Sequence, residues 1–150
     1  MKRSGKGAAN TLTDSLDFLI RDTRLRLYKY IESRIVRQDI PLRLWFPLRA
    51  LYRNEGITQR ELGRLLGYGD ARAGVIVAVM QRRRLVNRQP SRVDKRRIDL
   101  YLTPAGKKMA RLTLRHMRDI NARVAAGFSA TETRALQTLL LRAHENLQRS

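Results

Sequence analysis

Between Arg88 and Arg97 the chain reads RQPSRVDKRR, five basic residues and one acid, Asp94. Four of the five are arginines, whose flat, forked donors suit phosphates, guanine edges and carboxylates better than the point charge of lysine does. Other chemistry has little to work with. There are no cysteines, so disulfides, thiolate metal sites and thiol switches are excluded. The two histidines, His116 and His144, have no metal-ligand spacing and no acidic partner pattern, and read most simply as helix-face residues. No glycine-lysine phosphate loop, H-E-x-x-H pair or nucleophile elbow is present, and DARAGVIV has the character of a helix, not of a phosphate cradle. No catalytic, cofactor or metal-binding residue is therefore assigned. The chemistry on offer is non-covalent recognition of anions.

Composition agrees. Lys and Arg number 32 against 13 Asp and Glu, a formal net charge of +19, and only six of the 32 are Lys. A polyanion is the natural partner of such a surface. A chain of 150 residues with 43% hydrophobic content fits one globular domain, and one of that size hides roughly 70% of its unfolded surface. The opening MKRSGKGAANTLTDSL has no apolar run of signal-peptide length, and its first ten residues are expected to be disordered. No segment approaches the roughly 20 apolar residues of a membrane span, so a cytoplasmic, membrane-free setting is expected.

The elements that must position the basic cluster follow from periodicity. Positions Leu16, Ile20, Thr23, Leu27, Tyr30 or Ile31, and Ile35 draw one stripe along a first helix, about 12–37, whose other faces carry Arg21, Arg24, Arg26, Arg34 and Arg37. After Pro41, LRLWFPLRALYRNEG reads as a second helix, with Pro47 either in its first turn or before a later start. Thr58 and Glu61 form a T-x-x-E capping box ahead of Leu62, Leu65 and Leu66. Gly67, Tyr68 and Gly69 make a tight connection, Gly69 or Asp70 can cap the next helix, and the apolar run Ala73 to Met80 ends in Gln81-Arg82-Arg83-Arg84. Two helices joined by a three-residue, glycine-containing turn form a helix-turn-helix. Leu85 to Arg88 and Arg97 to Leu102 then read as a hairpin, with Ile98, Leu100 and Leu102 on one face. Thr103-Pro104 opens a fifth helix, about 104–127, and Ser129 with Glu132 caps a sixth. The fold class is mainly α, an α+β winged helix: six helices and a β-hairpin wing in a single domain, 1–150. Residues 42–103 form the lobe that carries the helix-turn-helix and wing. The terminal helices, 12–37 and 104–149, have most to gain by packing on each other and on a second copy, which predicts a homodimer.

The order of these parts, and several strings within them, resemble the MarR family (multiple antibiotic resistance regulator) of winged-helix transcription factors. The resemblance spans about residues 12–148. Its most specific piece is the wing, where D-x-R, three residues, then an aliphatic-x-L-T-x-x-G run appears as Asp94-Lys95-Arg96, Arg97-Ile98-Asp99 and Leu100-Tyr101-Leu102-Thr103-Pro104-Ala105-Gly106. ITQRELGRLLG and RRLV resemble the family's first motif helix and its lead into the hairpin. The resemblance implies a two-fold dimer on a palindromic DNA operator, with a recognition helix in each major groove and each wing in a minor groove. It gives Arg96 the minor-groove contact and Asp94 the task of steadying the loop, with Arg92 and Lys95 beside them. Asp70, Ala71, Arg72, Gly74 and Val75 occupy the positions that reach base edges in such motifs, Arg72 being suited to a forked contact with guanine. Val75, Ala71 and Ala78 either meet thymine methyls or pack inward. Arg82 to Arg84 read as a solvated helix end or, for at least one of them, as a phosphate contact; Arg82 is taken as the contact.

The resemblance also implies release of DNA by a small aromatic acid bound between the dimer helices and the lobe, tying the protein to aromatic-compound catabolism. For an acidic ligand the available cations are Arg21, Arg24 and Arg49; Trp45 is either core or cavity lining, and His116 can hydrogen-bond an effector. The abundance of arginine makes a coenzyme A thioester a further effector to consider. The rival readings are an architectural protein that binds DNA without sequence choice, and a binder of structured RNA or acidic protein.

Overall fold

The computed structural model describes residues 15–35 and 39–148. One compact unit runs to Thr113 and a second begins at Leu114.

In the first unit, helix α1 spans Leu16–Ile35, and only Ile31 and Ile35 at its C-terminal end are buried. Positions 12–14, 36 and 37 of the expected first helix, and the first ten residues of the chain, lie outside the described residues. A 3-10 turn over Leu42–Leu44 leads into α2, Trp45–Arg53. The expected second helix thus starts later than its sequence suggested, and the reason is Pro47. It sits in the first turn of α2, where its missing N–H has no intrahelical acceptor to lose. Leu44 at the end of the turn and Trp45, Leu48 and Leu51 on α2 are at most 1% exposed, so this short segment supplies a large part of the lobe's core.

Helix α3, Gln59–Leu66, has the expected reciprocal cap: Thr58 Oγ1 accepts from the Glu61 N–H and Glu61 accepts from the Thr58 N–H at 2.7 Å. It ends at Gly67 with φ +62°, a left-handed conformation that glycine adopts without a Cβ penalty. Helix α4, Asp70–Arg82, follows the three-residue turn, with Gly69 and not Asp70 as its N-cap. Ala73, Ile76, Val77, Val79 and Met80 bury its inner face.

The hairpin pairs β1, Val86–Pro90, with β2, Ile98–Leu102, antiparallel, Val86 facing Leu102 and Pro90 facing Ile98. A bridge from Ile57 to Leu100 adds a third short segment, with backbone bonds Leu100 N to Ile57 O and Gly56 N to Leu100 O. The expected alternation of β2 is broken at one end: Leu100 and Leu102 are buried, but Ile98 is 43% exposed and Asp99 only 5%. The carboxylate is inside because an arginine meets it there, as described below.

Helix α5, Pro104–Val124, crosses from the first unit into the second, and stops three residues before its expected end. Its start fits the L-T-x-x-G string closely. Thr103 Oγ1 accepts from the Gly106 N–H and donates to the Arg84 carbonyl at 2.7 Å, while a β-carbon on Gly106 would lie 2.0 Å from the Leu85 carbonyl oxygen. In the second unit, Ser129 and Glu132 form the expected cap of α6, Ala130–Gln148, on which no residue is buried. No described helix is long and apolar enough to cross a membrane.

Candidate nucleic-acid interface

The wing is stapled to the lobe by one arginine and extends another. Arg97 Nε donates to Asp99 Oδ1 at 2.6 Å, its two terminal nitrogens donate to the two carboxylate oxygens of Glu61 at 3.2 and 2.9 Å, and Nη2 also donates to the Gly56 carbonyl. Hydrogen bonding to Asp99 raises the Arg97 pKa further, and the same bond holds the Asp99 carboxyl below its ordinary range. Glu61 is lowered first by the Thr58 backbone N–H and then by the Thr58 hydroxyl and Arg97. A single carboxylate therefore caps α3 and fixes the base of the wing.

Arg96, the next residue back, is turned outward. Its side chain is 93% exposed and its Nε lies 3.3 Å from Asp94 Oδ1, the same oxygen that accepts the Arg96 backbone N–H at 3.0 Å. Asp94 thus closes a tight side-chain turn and holds the Arg96 guanidinium at the same time. Arg92 and Lys95 beside them are exposed, and so is Val93 at 98%.

An open groove of about 470 Å³ connects this wing to the helix-turn-helix. Arg60 of α3, Asp70 at the start of α4, and Arg88 and Arg96 of the wing all line it. Arg60 and Asp70 approach to 3.6 Å, both 69% exposed, a pair that contributes little. Arg88 is braced: Nε donates to Gln81 Oε1 and Nη2 to Gln59 Oε1 at 2.7 Å. That bracket ties β1 to both helices of the motif, and sequence inspection missed it, as it missed the role of Arg97.

On α4 the outward face runs Ala71, Val75, Ala78 and Arg82, spaced by four, three and four. Ala71, Val75 and Arg82 are exposed and Ala78 is half-buried, so Ala71 and Val75 do not pack inward. Gly74 lies beside this line, with the Gln59 amide 3.2 Å from where a β-carbon would be. The arginine run behind it divides. Arg83 lies 3.7 Å from Asp39 and also donates to its carbonyl, and Arg84 takes a left-handed φ of +56° to end the helix, leaving Arg82 as the member on the outer face.

Arg72 stands to the side of the line. Its guanidinium stacks on Tyr68 at 3.9 Å from the ring centroid. Both residues line a cleft of about 330 Å³ with Arg24, Leu25, Tyr28, Leu42, Arg43 and Phe46. Tyr28 meets Phe46 edge-on at 6.1 Å, Arg24 lies over Tyr28, and Arg49 over the other side of the cluster at Phe46. Burial, with Arg53 nearby, lowers the Arg49 pKa. Of the residues expected to meet an effector, the cleft takes in Arg24. Arg21 is exposed on α1, Trp45 is in the core at 1% exposure, and His116 is half-buried on α5 in the second unit. Tyr68 and Tyr28 were not singled out as site residues in the sequence, where Phe46, like Trp45, reads more simply as core; a tyrosine in a three-residue turn reads as connection until the arginine four residues on is seen lying across it. Among the described residues no cluster of three or more His, Asp or Glu could hold a metal ion.

Comparison with known proteins is consistent with this geometry. Residues 39–97 match the model of the MarR family. No curated protein sequence matches the chain. Among solved structures, a probable transcriptional regulator from Pseudomonas aeruginosa is 28% identical, with a TM-score of 0.75 over 88% of this chain and 98% of that one. The PcaV transcriptional regulator from Streptomyces coelicolor, in complex with its natural ligand, is 24% identical at a TM-score of 0.78 over 93% and 98%. MepR from S. aureus, in complex with DNA, shares the fold at 18% identity and a TM-score of 0.82, over 93% and 99%. Residues 39–97, which hold the helix-turn-helix and the first strand of the wing, are thus similar to the MarR family, and the fold is shared with solved transcriptional regulators across most of the chain.

Proposed function

We propose that this protein is a dimeric, sequence-specific DNA-binding transcriptional regulator, a repressor released by a small aromatic acid. The observation that carries the reading is the groove in which α3 presents Arg60 and the wing presents Arg88 and Arg96 to the same space, beside the start of α4. A duplex laid there meets phosphate donors from both the helix-turn-helix and the wing. Arg96 enters a minor groove, where the negative potential of a narrow groove favours a guanidinium, and α4 enters the adjacent major groove. The solved complex of the MepR relative with DNA supports the same use of the fold.

Dimerisation is supported by apolar side chains exposed in one chain. On α1, Leu16 is 78% and Ile20 47% exposed; on α6, Leu139, Leu140 and Leu141 are all more than half exposed. A second copy of each helix is the simplest cover. Two lobes then present their α4 helices to half-sites about one helical turn apart.

The aromatic cleft supports a ligand carrying a ring and a carboxylate: Tyr28 and Phe46 offer ring contacts, and Arg24, Arg43 and Arg72 offer charge. Its volume is at the small end of the usual range for ligand sites, which favours a single-ring acid over a coenzyme A thioester. Because Arg72 lines the cleft and also stands beside the DNA-facing surface, a bound carboxylate competes for it. The ligand also fixes the lobes at a spacing that no longer fits two major grooves, so it binds the free form more tightly. PcaV, solved with its natural ligand, supports ligand binding by this fold.

One observation favours a second reading, architectural binding without sequence choice: the outer line of α4 has few hydrogen-bonding groups. Competition between an operator fragment and random duplex at about 0.15 M salt decides between them, a specific regulator preferring its site by roughly a thousandfold or more. For the effector, a thermal-shift screen of benzoates, cinnamates and their coenzyme A thioesters tests the cleft; a ligand at 100 times its dissociation constant adds about 2.7 kcal/mol.

A further inference from the structure

Ala71, Val75, Ala78 and Arg82 follow one another at spacings of four, three and four, so they form a single line down α4. That line is opposite the buried Ala73, Val77 and Met80. Val75 is 62% exposed, an unusual position for a branched aliphatic residue on a helix of 13 residues whose inner face is otherwise well filled. Ala71, Gly74, Val75 and Ala78 have no side-chain donor or acceptor. From the first turn of α4 to Arg82, the centre of the outward surface is made of methyl groups and backbone. Its flanks are cationic, with Arg60 on one side and Arg82 at the end.

An apolar line inside a basic surface fits an occupant that is polyanionic at its edges and apolar at its centre. In duplex DNA the only apolar group on the major-groove edge of a base pair is the C5 methyl of thymine. Resting on the DNA-binding reading above, we infer that α4 selects its half-site chiefly by packing Val75, with Ala71 and Ala78, against pyrimidine C5 methyls, and not by a set of side-chain hydrogen bonds. The small residues have a purpose in this arrangement: without side chains at 71, 74 and 78 longer than a methyl, the helix can approach the base edges closely. Arg72, stacked on Tyr68 at 3.9 Å, contributes from the side of the line. The chemical class read is the 5-methylpyrimidine. A 5-methylcytosine presents the same methyl as thymine, so the surface should accept it in place of thymine.

The test uses the full-length protein and a duplex recovered by in vitro selection from a randomised library, then resynthesised with deoxyuridine in place of thymidine. The uridine duplex should bind about fourfold more weakly for each methyl contacted, the value expected for one buried methyl group, with an unchanged salt slope. A random duplex should not respond to the same exchange. Replacing a contacted T·A pair by C·G should weaken binding, and 5-methylation of that cytosine should recover part of the loss. Val75→Ala, at an exposed position that leaves the thermal midpoint unchanged, should lower the thymidine-to-uridine ratio. Tight, salt-dependent binding that differs by less than about twofold between the two duplexes overturns the inference and leaves the DNA-binding reading standing. Failure to select any duplex over random sequence overturns both.

Discussion

Arg96 and Arg97 are adjacent, identical in type and opposite in use. Arg97 is spent on the protein, its donors shared among Asp99, Glu61 and the Gly56 carbonyl, while Arg96 is left to solvent by a single bond to Asp94. The pairing of Asp94 with Arg96 was legible because the two are close in sequence; the fate of Arg97 was not, because two of its acceptors, Glu61 and the Gly56 carbonyl, lie 36 and 41 residues away. The acid dependence of stability follows from the same contacts. Asp99 and Glu61 have pKa values below their ordinary ones, so their contribution is complete above the unfolded carboxylate range and is lost as pH falls through the folded values. Thermal melts of the wild type should therefore lose stability as pH drops into and below that range. Asp99→Asn should melt lower at neutral pH and show a flatter acid limb; an unchanged limb would remove the wing staple from the account. Arg72→Ala should relax sequence preference, by about 1–3 kcal/mol at the base pair it contacts, while changing affinity for random duplex less. Equal losses on both would make it a phosphate contact.

The elements were readable wherever their signals are local. Both capping boxes, the Gly67-Tyr68-Gly69 turn and the start of α5 at Pro104 stand where the sequence puts them, since the residue types that signal each lie next to one another in the chain. The 3-10 turn before α2, the Ile57 bridge and the inward Asp99 depend on partners brought together by the fold, and periodicity contains no trace of them. Two substitutions test how tightly the wing and α5 are joined. Gly106→Ala would force a β-carbon to 2.0 Å from the Leu85 carbonyl, a backbone clash that cannot be relieved by a rotamer change, and should cost about 3 kcal/mol or more in a denaturant melt. Arg84, at φ +56°, is the reverse case. Arg84→Gly removes left-handed strain and should raise stability by about 0.5–1 kcal/mol. A loss of stability there would mean that the Arg84 side chain holds the turn by contacts that outweigh the strain.

At the scale of the whole molecule, the exposed leucines of α1 and α6 and the net charge of +19 set the expectations. Sedimentation should give a dimer, and Leu140→Glu, at a position 52% exposed in the single chain, should shift it toward monomer without loss of helix content by circular dichroism. A dimer unaffected by charge on α6 would move the interface elsewhere. In the sequence a second copy is an expectation drawn from the apolar stripes of the terminal helices. Which helix faces it would use depends on surfaces in both copies, which no local pattern records. The most direct measurement of the central claim is the affinity of wild type and Arg96→Ala for a selected palindromic duplex and for random duplex, titrated across salt concentration. The account predicts that Arg96→Ala weakens binding to both and lowers the slope of log affinity against log salt by about one for each contacted phosphate lost. Wild-type affinity and slope retained by Arg96→Ala would contradict it.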